Sequence, residues 1–239
     1  MPLRDRNLPR RHPSGLTRRQ LFGAFGALGL AACDPGHPRR GVLGAMERWN
    51  GGLQSRLFSR SRELAGGALT PADAFPGYKA TPGPAFPLPA KDWALKLGGR
   101  VKRPRTLSLA ELHALPRTDA RIEHHCVEGW SAVADWHGVR LSELARLVGA
   151  EDVGYVEFKS FDLGYWSSWD ADSAMHPQTL IAYGMNGADL TPKHGAPARL
   201  YGAVKLGYKQ VKYLTEINFV DEETGGYWED QGYEWYAGV

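Results

Sequence analysis

Apolar residues follow the period of an α-helix between residues 42 and 57. Successive spacings of four, three, four and four place five of them on one helical face: Val42, Met46, Trp49, Leu53 and Leu57. We expect this face to dock on the rest of the protein, and a position near a membrane is the alternative. Gly51 and Gly52 in the middle of the stretch weaken the helix prediction.

Alternating or β-rich stretches recur beyond residue 90 and predict β-strands. They cover Trp93–Gly99, Arg121–Val127, Val153–Phe158, Leu180–Met185, Arg199–Ala203 and Tyr213–Val220. Asn186-Gly187, after the fourth stretch, is a hairpin-turn signal. Two short helices accompany the strands, one begun by a capping box of Ser108 and Glu111 and one over Leu141–Ala150. Many strands with few short helices predict an α+β domain of mixed β-sheets.

Composition divides the chain into three parts. Residues 66–90 are rich in Gly, Pro and Ala, which predicts extended chain without regular structure. We assign residues 1–32 to a targeting signal, and 33–90 to a tether, the helix and this extended segment. Residues 91–239 then form the folded domain.

The targeting signal combines paired arginines with a short apolar run. Arg18 and Arg19 precede Leu21–Ala32, which has no charge and is too short to cross a bilayer as a helix. This pattern resembles a twin-arginine (Tat) export signal. The run ends in LAAC, which resembles a lipobox that would lipidate Cys33; cleavage of the A-x-A type nearby is the alternative. We expect a periplasmic protein, anchored to the membrane if Cys33 is lipidated.

The net charge of +3 comes from this signal. Residues 1–32 contain six arginines and one acidic residue, Asp5, and without them 23 basic and 25 acidic side chains remain, a net charge of −2. A slightly acidic domain lacks the basic surface that is typical of nucleic-acid-binding proteins. We therefore expect no nucleic-acid partner.

Cys126 is the one cysteine besides Cys33 and lies in the stretch RIEHHCVEGW. On a strand, His124 and Cys126 share a face and His125 points to the other. Zinc would need three or four ligands, and the chain has no such spacing. From these residues alone, Cys126 is an inert core residue, a metal ligand, or a nucleophile approached by His137 or His194.

Longer stretches resemble the sulfite-oxidase-fold molybdopterin enzymes. RIEHHCVEGWSAVADWHGVRLSELARLVGA resembles the segment whose single cysteine binds molybdenum, and AMHPQTLIAYGMNGADLTPKHGAPARL resembles the segment that cradles the cofactor. YKQVKYLTEINFVD and YWEDQGYEWYAG resemble later strands and the tail, so the resemblance covers about residues 43–239. It implies the sulfite-oxidase-type fold, Mo-molybdopterin as cofactor and Cys126 as the catalytic metal ligand. A soft thiolate suits molybdenum.

The resemblance also implies which residues bind the cofactor: Ser160, His194, Arg199, Gln210, Val211 and Lys212. Arginine and lysine would supply positive donors for its phosphate. His125 and Glu128 either orient the site or have packing and surface roles. The family's Asn-Asn-Phe-Tyr-Glu-Phe segment, which also contacts the cofactor, is replaced here by GYKATPGPAF, residues 77–86, so those contacts do not carry over.

The residues after Cys126 favour one branch of the family. Val-Glu-Gly-Trp follows it, as in the periplasmic methionine-sulfoxide reductases, and the Cys-x-Gly-Asn-Arg-Arg arrangement of sulfite oxidases is absent. Against this, His194 stands where the reductases usually have asparagine. We expect oxygen-atom transfer at molybdenum, with reduction of methionine sulfoxide or another S- or N-oxide as the first hypothesis. Oxidation of a small substrate such as sulfite is the alternative.

Such a reaction needs electrons from elsewhere. The chain has no haem-binding C-x-x-C-H motif and no set of iron–sulfur cysteines. A quinone-linked, haem-containing membrane subunit is therefore expected as partner. A metal-free lipoprotein binding module and a cysteine hydrolase remain as hypotheses from other functional classes.

Overall fold

The structure is a computed structural model that describes residues 41–59, 63–64, 66–80, 82, 85–162 and 164–239. The predicted signal, Cys33 and the tether up to residue 40 lie outside these residues. The chain divides into two compact units, residues 1–46 and 47–239. The described part of the first is the start of helix α1 (Gly41–Leu57), which confirms the helix predicted from residue 42 to 57.

Ten strands of the described residues form two sheets. The first has the spatial order β2-β1-β10-β5-β6 and consists of β1 (Ala94–Gly99), β2 (Arg105–Ser108), β5 (Tyr155–Ser160), β6 (Trp166–Asp170) and β10 (Leu214–Val220). The second has the order β3-β4-β7-β8, with β9 also paired to β7, and consists of β3 (Thr118–His125), β4 (Ser131–Arg140), β7 (Thr179–Met185), β8 (Ala188–Asp189) and β9 (Arg199–Gly202). Only β1 and β10 pair in parallel, so the first sheet is mixed.

The remaining helices are short. They are α2 (Leu109–His113), α3 (Leu141–Val148) and α4 (Ala171–Ala174), together with 3-10 turns at Pro192–His194, Gly207–Lys209 and Glu229–Gln231. The predicted capping box is present, since Ser108 and Glu111 satisfy each other's backbone N–H at the start of α2. Helix α3 ends at Gly149, whose φ of 62° is the left-handed conformation that glycine adopts at a helix end. Strands with few short helices confirm the predicted α+β fold.

Four of the described strands were not predicted from the sequence: β2, β4, β6 and the two-residue β8. The longest, β4, contains Ala, Asp and Gly and has weak β-propensity, but it is central because β3 and β7 pair with its two edges. In β6, Ser167 and Ser168 are fully buried and donate hydrogen bonds to Glu229 Oε1 (2.6 Å) and Gly225 O (2.7 Å). These segments therefore become strands because other segments of the chain pair with them and bond to them. Their local composition does not predict it.

Helix α1 contacts the rest of residues 47–239 through polar side chains. Glu47 Oε1 accepts a hydrogen bond from Trp235 N (3.0 Å), while Asn50 Nδ2 and Gln54 Nε2 donate to Glu234 Oε1 (3.0 and 2.9 Å). The apolar residues are exposed by 61, 72, 43 and 78% at Met46, Trp49, Leu53 and Leu57. The prediction that this apolar face docks is therefore wrong, because the C-terminal tail presents polar groups to the helix. The side chain of Val42 lies outside those that the structure describes.

Candidate active site

A cavity of about 360 Å³ lies beside Cys126. It falls in the size range of small-molecule and cofactor sites. Four of the other residues predicted to bind the cofactor also line it: Ser160, Arg199, Gln210 and Lys212. The fold thus brings side chains from strand ends and connecting segments, far apart in the sequence, close to the thiol of Cys126.

Cys126 begins the turn between β3 and β4. Its backbone N–H donates to Trp130 O and its carbonyl accepts from Gly129 N, both at 3.0 Å. Gly129 has a φ of 87°, which allows this tight turn. The thiol is partly buried, and burial raises its pKa because the thiolate is costly to desolvate.

The geometry does not favour a cysteine hydrolase. A nucleophilic cysteine needs a cationic or basic neighbour that lowers its pKa, whereas burial raises the pKa of Cys126. His137 and His194, the two candidate bases, do not line the cavity that contains the thiol. Among the described residues no group of three or more His, Cys, Asp or Glu side chains could hold a metal ion.

Arg199 and Lys212 place positive charge in the cavity wall, and neither forms an ion pair with a carboxylate of the described residues. The Arg199 guanidinium is buried, donates to His194 O (2.9 Å) and Gln210 O (3.4 Å), and faces the rings of Trp136 and Tyr201. The Lys212 ammonium donates to Tyr78 O (2.6 Å) and Lys193 O (3.0 Å).

Among the described residues neither Arg199 nor Lys212 forms an ion pair with a carboxylate. Burial lowers the pKa of Arg199 to about 10 and lowers that of Lys212 well below its ordinary value, in the latter case with help from Arg199. Burying cations without a counter-charge is costly, so an anionic ligand in this cavity would complete the arrangement. A phosphate-bearing cofactor fits this requirement.

His124 is a cavity residue that the sequence did not identify as a ligand-binding candidate. It shares the cavity wall with Cys126, as the strand alternation predicted, while His125 Nδ1 lies 3.1 Å from Ser131 Oγ. His124 Nδ1 lies 3.0 Å from Tyr201 Oη, and burial followed by Arg199 and Lys212 lowers its pKa to about 3. The imidazole is therefore neutral at pH 7 and offers one donor and one acceptor.

Two residues predicted to contact the cofactor do not line this cavity. His194 lines a second cavity of about 270 Å³, and its Nε2 lies 3.3 Å from Ala72 O while its Nδ1 is buried without a partner. Val211 is fully buried in the core and contributes its carbonyl to Leu200 N (2.8 Å). Of His125 and Glu128, the two candidates for orienting the site, Glu128 lines the cavity and His125 does not.

The substituted segment also helps to form the cavity. Tyr78 and Ala80 line it, together with Phe75 just before the segment, and Ala80 N donates to Asp162 Oδ2 (3.0 Å). Tyr78 stacks on Trp130 with ring centroids 5.9 Å apart. Trp228 and Tyr233 from the C-terminal tail line it too.

No helix in the described part of the chain is long and apolar enough to span a membrane.

Comparison with known proteins identifies related sequences and folds. Residues 83–228 match the oxidoreductase molybdopterin binding domain. The chain is 36% identical over 228 residues to the protein of Azospira oryzae named "Putative protein-methionine-sulfoxide reductase subunit YedZ1", covering 93% of this chain and 86% of that protein. It is 31% identical over 231 residues to the protein-methionine-sulfoxide reductase catalytic subunit MsrP of Xanthomonas axonopodis pv. citri, covering 88% and 71%.

A solved structure has the same fold. The sulfane dehydrogenase SoxCD of Paracoccus pantotrophus superposes with a TM-score of 0.60 at 22% identity. The superposition covers 69% of this chain and 46% of that one, so this chain spans less than half the length of the neighbour. The likeness supports the fold expected from the sequence.

Proposed function

The chain belongs to the molybdopterin-binding oxidoreductases of the sulfite-oxidase-type fold, and from this premise we propose that it reduces methionine sulfoxide. It is an enzyme that uses Mo-molybdopterin. When bound, this cofactor supplies oxygen-atom transfer, so that a sulfoxide, two electrons and two protons give a thioether and water. The residues of the chain determine how cofactor and substrate are held.

The observation that carries the proposal is the composition of the cavity around Cys126. Cys126 lines this cavity, and its thiol would serve as the soft protein ligand to molybdenum. Arg199 and Lys212 would bind the phosphate of the cofactor, because neither forms an ion pair with a carboxylate of the described residues. Cys126 and the two cations would thus hold the metal and the phosphate through different side chains.

The outer part of the cavity suits a neutral sulfoxide better than an anion. Tyr78, Val127 and Tyr233 line the cavity and are 56, 49 and 36% exposed, so they offer apolar contact to the methionine side chain. Glu128 also lines it and is exposed, and its carboxylate would repel sulfite. Reduction of a sulfoxide is therefore favoured over oxidation of sulfite.

Steady-state assays of the cofactor-loaded enzyme test the substrate. With a reduced dye as electron donor, we expect oxidation of the dye that depends on methionine sulfoxide, and no turnover of sulfite with an electron acceptor. Cys126→Ser is the control for activity at the metal. Turnover of sulfite without turnover of any sulfoxide would contradict the proposal.

We also propose export through the Tat route and an anchor at Cys33. The support is the pair Arg18 and Arg19, the apolar run and the LAAC sequence. Arg18→Lys together with Arg19→Lys should leave the protein in the cytoplasm, whereas Cys33→Ser should release exported protein from the membrane fraction. Export of the lysine variant at the normal level would contradict the Tat route.

A membrane haem subunit is the proposed electron donor. The support is the absence of haem and iron–sulfur cysteine motifs from the sequence, since the reaction consumes two electrons. Membranes from cells that produce this subunit should reduce the enzyme with quinol, and membranes that lack it should not. Equal reduction by both membranes would argue against such a partner.

A further inference from the structure

Helix α1 exposes an apolar stripe while it is attached through its polar side. Trp49, Leu53 and Leu57 follow one another at a spacing of four residues, so they form one stripe along the last two and a half turns of the helix. All three side chains are exposed, Trp49 by 72%, Leu53 by 43% and Leu57 by 78%. The attached side is formed by Glu47, Asn50 and Gln54, which bond to the C-terminal tail.

The attachment fixes which side of the helix faces outward. Gln54 Oε1 also accepts from Gly238 N (3.1 Å), and a Cβ on Gly51 would lie 3.4 Å from Tyr236 Cβ. The helix backbone thus lies close to the tail at Gly51. Turning the apolar stripe inward would break the hydrogen bonds of Glu47, Asn50 and Gln54 together. The stripe is therefore a stable outward surface.

Basic residues accompany the stripe. Arg56 lies seven residues after Trp49, which places it on the same side of the helix two turns later. Residues 39–57 contain four arginines and one acidic residue, Glu47, whose carboxylate accepts from Trp235 N. A tryptophan and leucines bordered by arginine are typical of helices that lie in the interface of an anionic membrane.

We propose that Trp49, Leu53 and Leu57 insert into the surface of an anionic phospholipid bilayer. The apolar side chains would enter the boundary between headgroups and acyl chains, and the arginines would contact lipid phosphates. Only seven residues separate Cys33 from Gly41, about 25 Å of extended chain, so a lipid on Cys33 would hold α1 close to the same surface. The inserted stripe supplies the second signal that stable anchoring requires.

A second copy of the chain is a poorer occupant. Stable protein interfaces use about 20–30 residues on each side, far more than this stripe provides. Two copies facing each other here would also bring like charges together. A bilayer has neither problem, because it accepts a narrow stripe and carries the opposite charge.

Binding to vesicles tests the proposal independently of the lipid anchor and of the substrate. The exported holoenzyme carrying Cys33→Ser should co-sediment with vesicles of phosphatidylcholine and phosphatidylglycerol, and less with phosphatidylcholine alone. Replacing Trp49, Leu53 and Leu57 by serine should lower the partition coefficient at least ~10-fold. The matched control replaces Leu69 and Leu88 by serine. Both are exposed but do not lie on α1, so this variant should bind the vesicles as strongly as its parent does.

Molybdenum content checks that the variants fold, and it does so whatever the substrate proves to be. Equal vesicle binding by the stripe variant and its parent would overturn the proposal, as would no binding of the parent to anionic vesicles. A parent that sediments as a dimer, which the stripe variant abolishes, would assign the surface to a second copy and overturn it as well.

Discussion

Two buried cations near the cavity differ in whether they have an acidic partner. Arg199 is 3% exposed and bonds to backbone carbonyls, whereas Lys205 is 2% exposed and pairs with Asp170 at 2.7 Å. An unpaired buried charge is costly in the cofactor-free protein, while a paired charge becomes costly only when its partner is removed. We therefore propose that Arg199 binds a ligand, whereas Lys205 stabilises the fold.

Replacing each cation by methionine should separate these roles. Arg199→Met should change the free energy of unfolding of cofactor-free protein by less than about 1 kcal/mol, yet lower its cofactor content. Lys205→Met should cost about 3 kcal/mol because it strands Asp170. Chemical denaturation and molybdenum analysis measure both effects; a large loss of stability in Arg199→Met with full cofactor content would contradict the assignment.

Cys126→Ser should abolish turnover while the pterin remains bound. Serine is a harder and mostly protonated ligand, and the phosphate contacts are proposed to come from Arg199 and Lys212. Loss of even an outer-shell group around a metal costs 10–100-fold, so we expect kcat to fall at least ~100-fold. X-ray absorption should register one sulfur fewer at molybdenum. Unchanged activity and unchanged sulfur coordination would mean that Cys126 is an ordinary core residue and does not bind molybdenum.

His194 should make the cofactor-free protein sensitive to acid. Burial, followed by Arg199 and Lys212, lowers the pKa of His194 to about 4, against about 6.5 in the unfolded chain. Stability from the neutral imidazole is thus fully present above pH 6.5 and is lost as the pH falls towards 4.

Substitution by asparagine isolates this contribution. His194→Asn keeps a neutral polar amide at this position but removes the titratable imidazole. Urea denaturation between pH 7 and pH 4 should have a smaller pH slope in the variant, by a total on the order of 1–3 kcal/mol. Identical slopes would indicate that His194 does not titrate differently in the folded and unfolded states.

At the scale of single elements, two glycines with open space around them differ only in backbone conformation. Gly52 lies within α1, and a Cβ there would meet nothing within 4 Å. Gly187 has equal space but sits in the turn after β7 with a φ of 82°. Glycine lowers the stability of the helix, whereas the left-handed backbone conformation of the turn requires it.

Alanine substitutions at these two positions should therefore have opposite signs. Gly52→Ala should stabilise the protein by about 0.5–1 kcal/mol, because alanine loses less backbone entropy in a helix. Gly187→Ala should destabilise it by about 1 kcal/mol or more, because the left-handed conformation strains a Cβ. Thermal unfolding of both variants provides the measurement, and a loss of stability in Gly52→Ala would show that α1 is not helical there.

At the scale of the molecule, a buried ion pair joins the C-terminal tail to the cavity wall. Lys209 donates to Glu229 Oε1, which also accepts from Ser167 Oγ (2.6 Å). Both charged residues are essentially inaccessible. Glu229 follows Trp228, which lines the cavity, so the pair also positions part of the site.

Glu229→Gln should cost about 3 kcal/mol, because it leaves the Lys209 ammonium buried without a counter-charge. Lys209→Met combined with Glu229→Leu should recover much of this loss, since no buried charge remains. Double-mutant analysis of unfolding free energies measures the coupling. Fully additive losses would mean that the two side chains act independently.

The sequence by itself determined the α+β class, helix α1, the capping box at Ser108, the turn after Met185 and, through the resemblance, the cofactor. These features depend on local patterns or on motifs that are contiguous along the chain. The alternation of β3 likewise predicted that His124 and Cys126 face the same side. Local spacing and side-chain chemistry are sufficient for such conclusions.

Only the tertiary structure decided which of the candidate residues share a cavity. It placed Ser160, Arg199, Gln210 and Lys212 with Cys126, and it placed His194 and Val211 elsewhere. It also reversed the expected orientation of α1, because hydrogen bonds to a tail some 180 residues away outweigh the helical pattern. Contacts between distant segments depend on the packing of the whole chain, and a periodic pattern carries no information about which partner lies opposite.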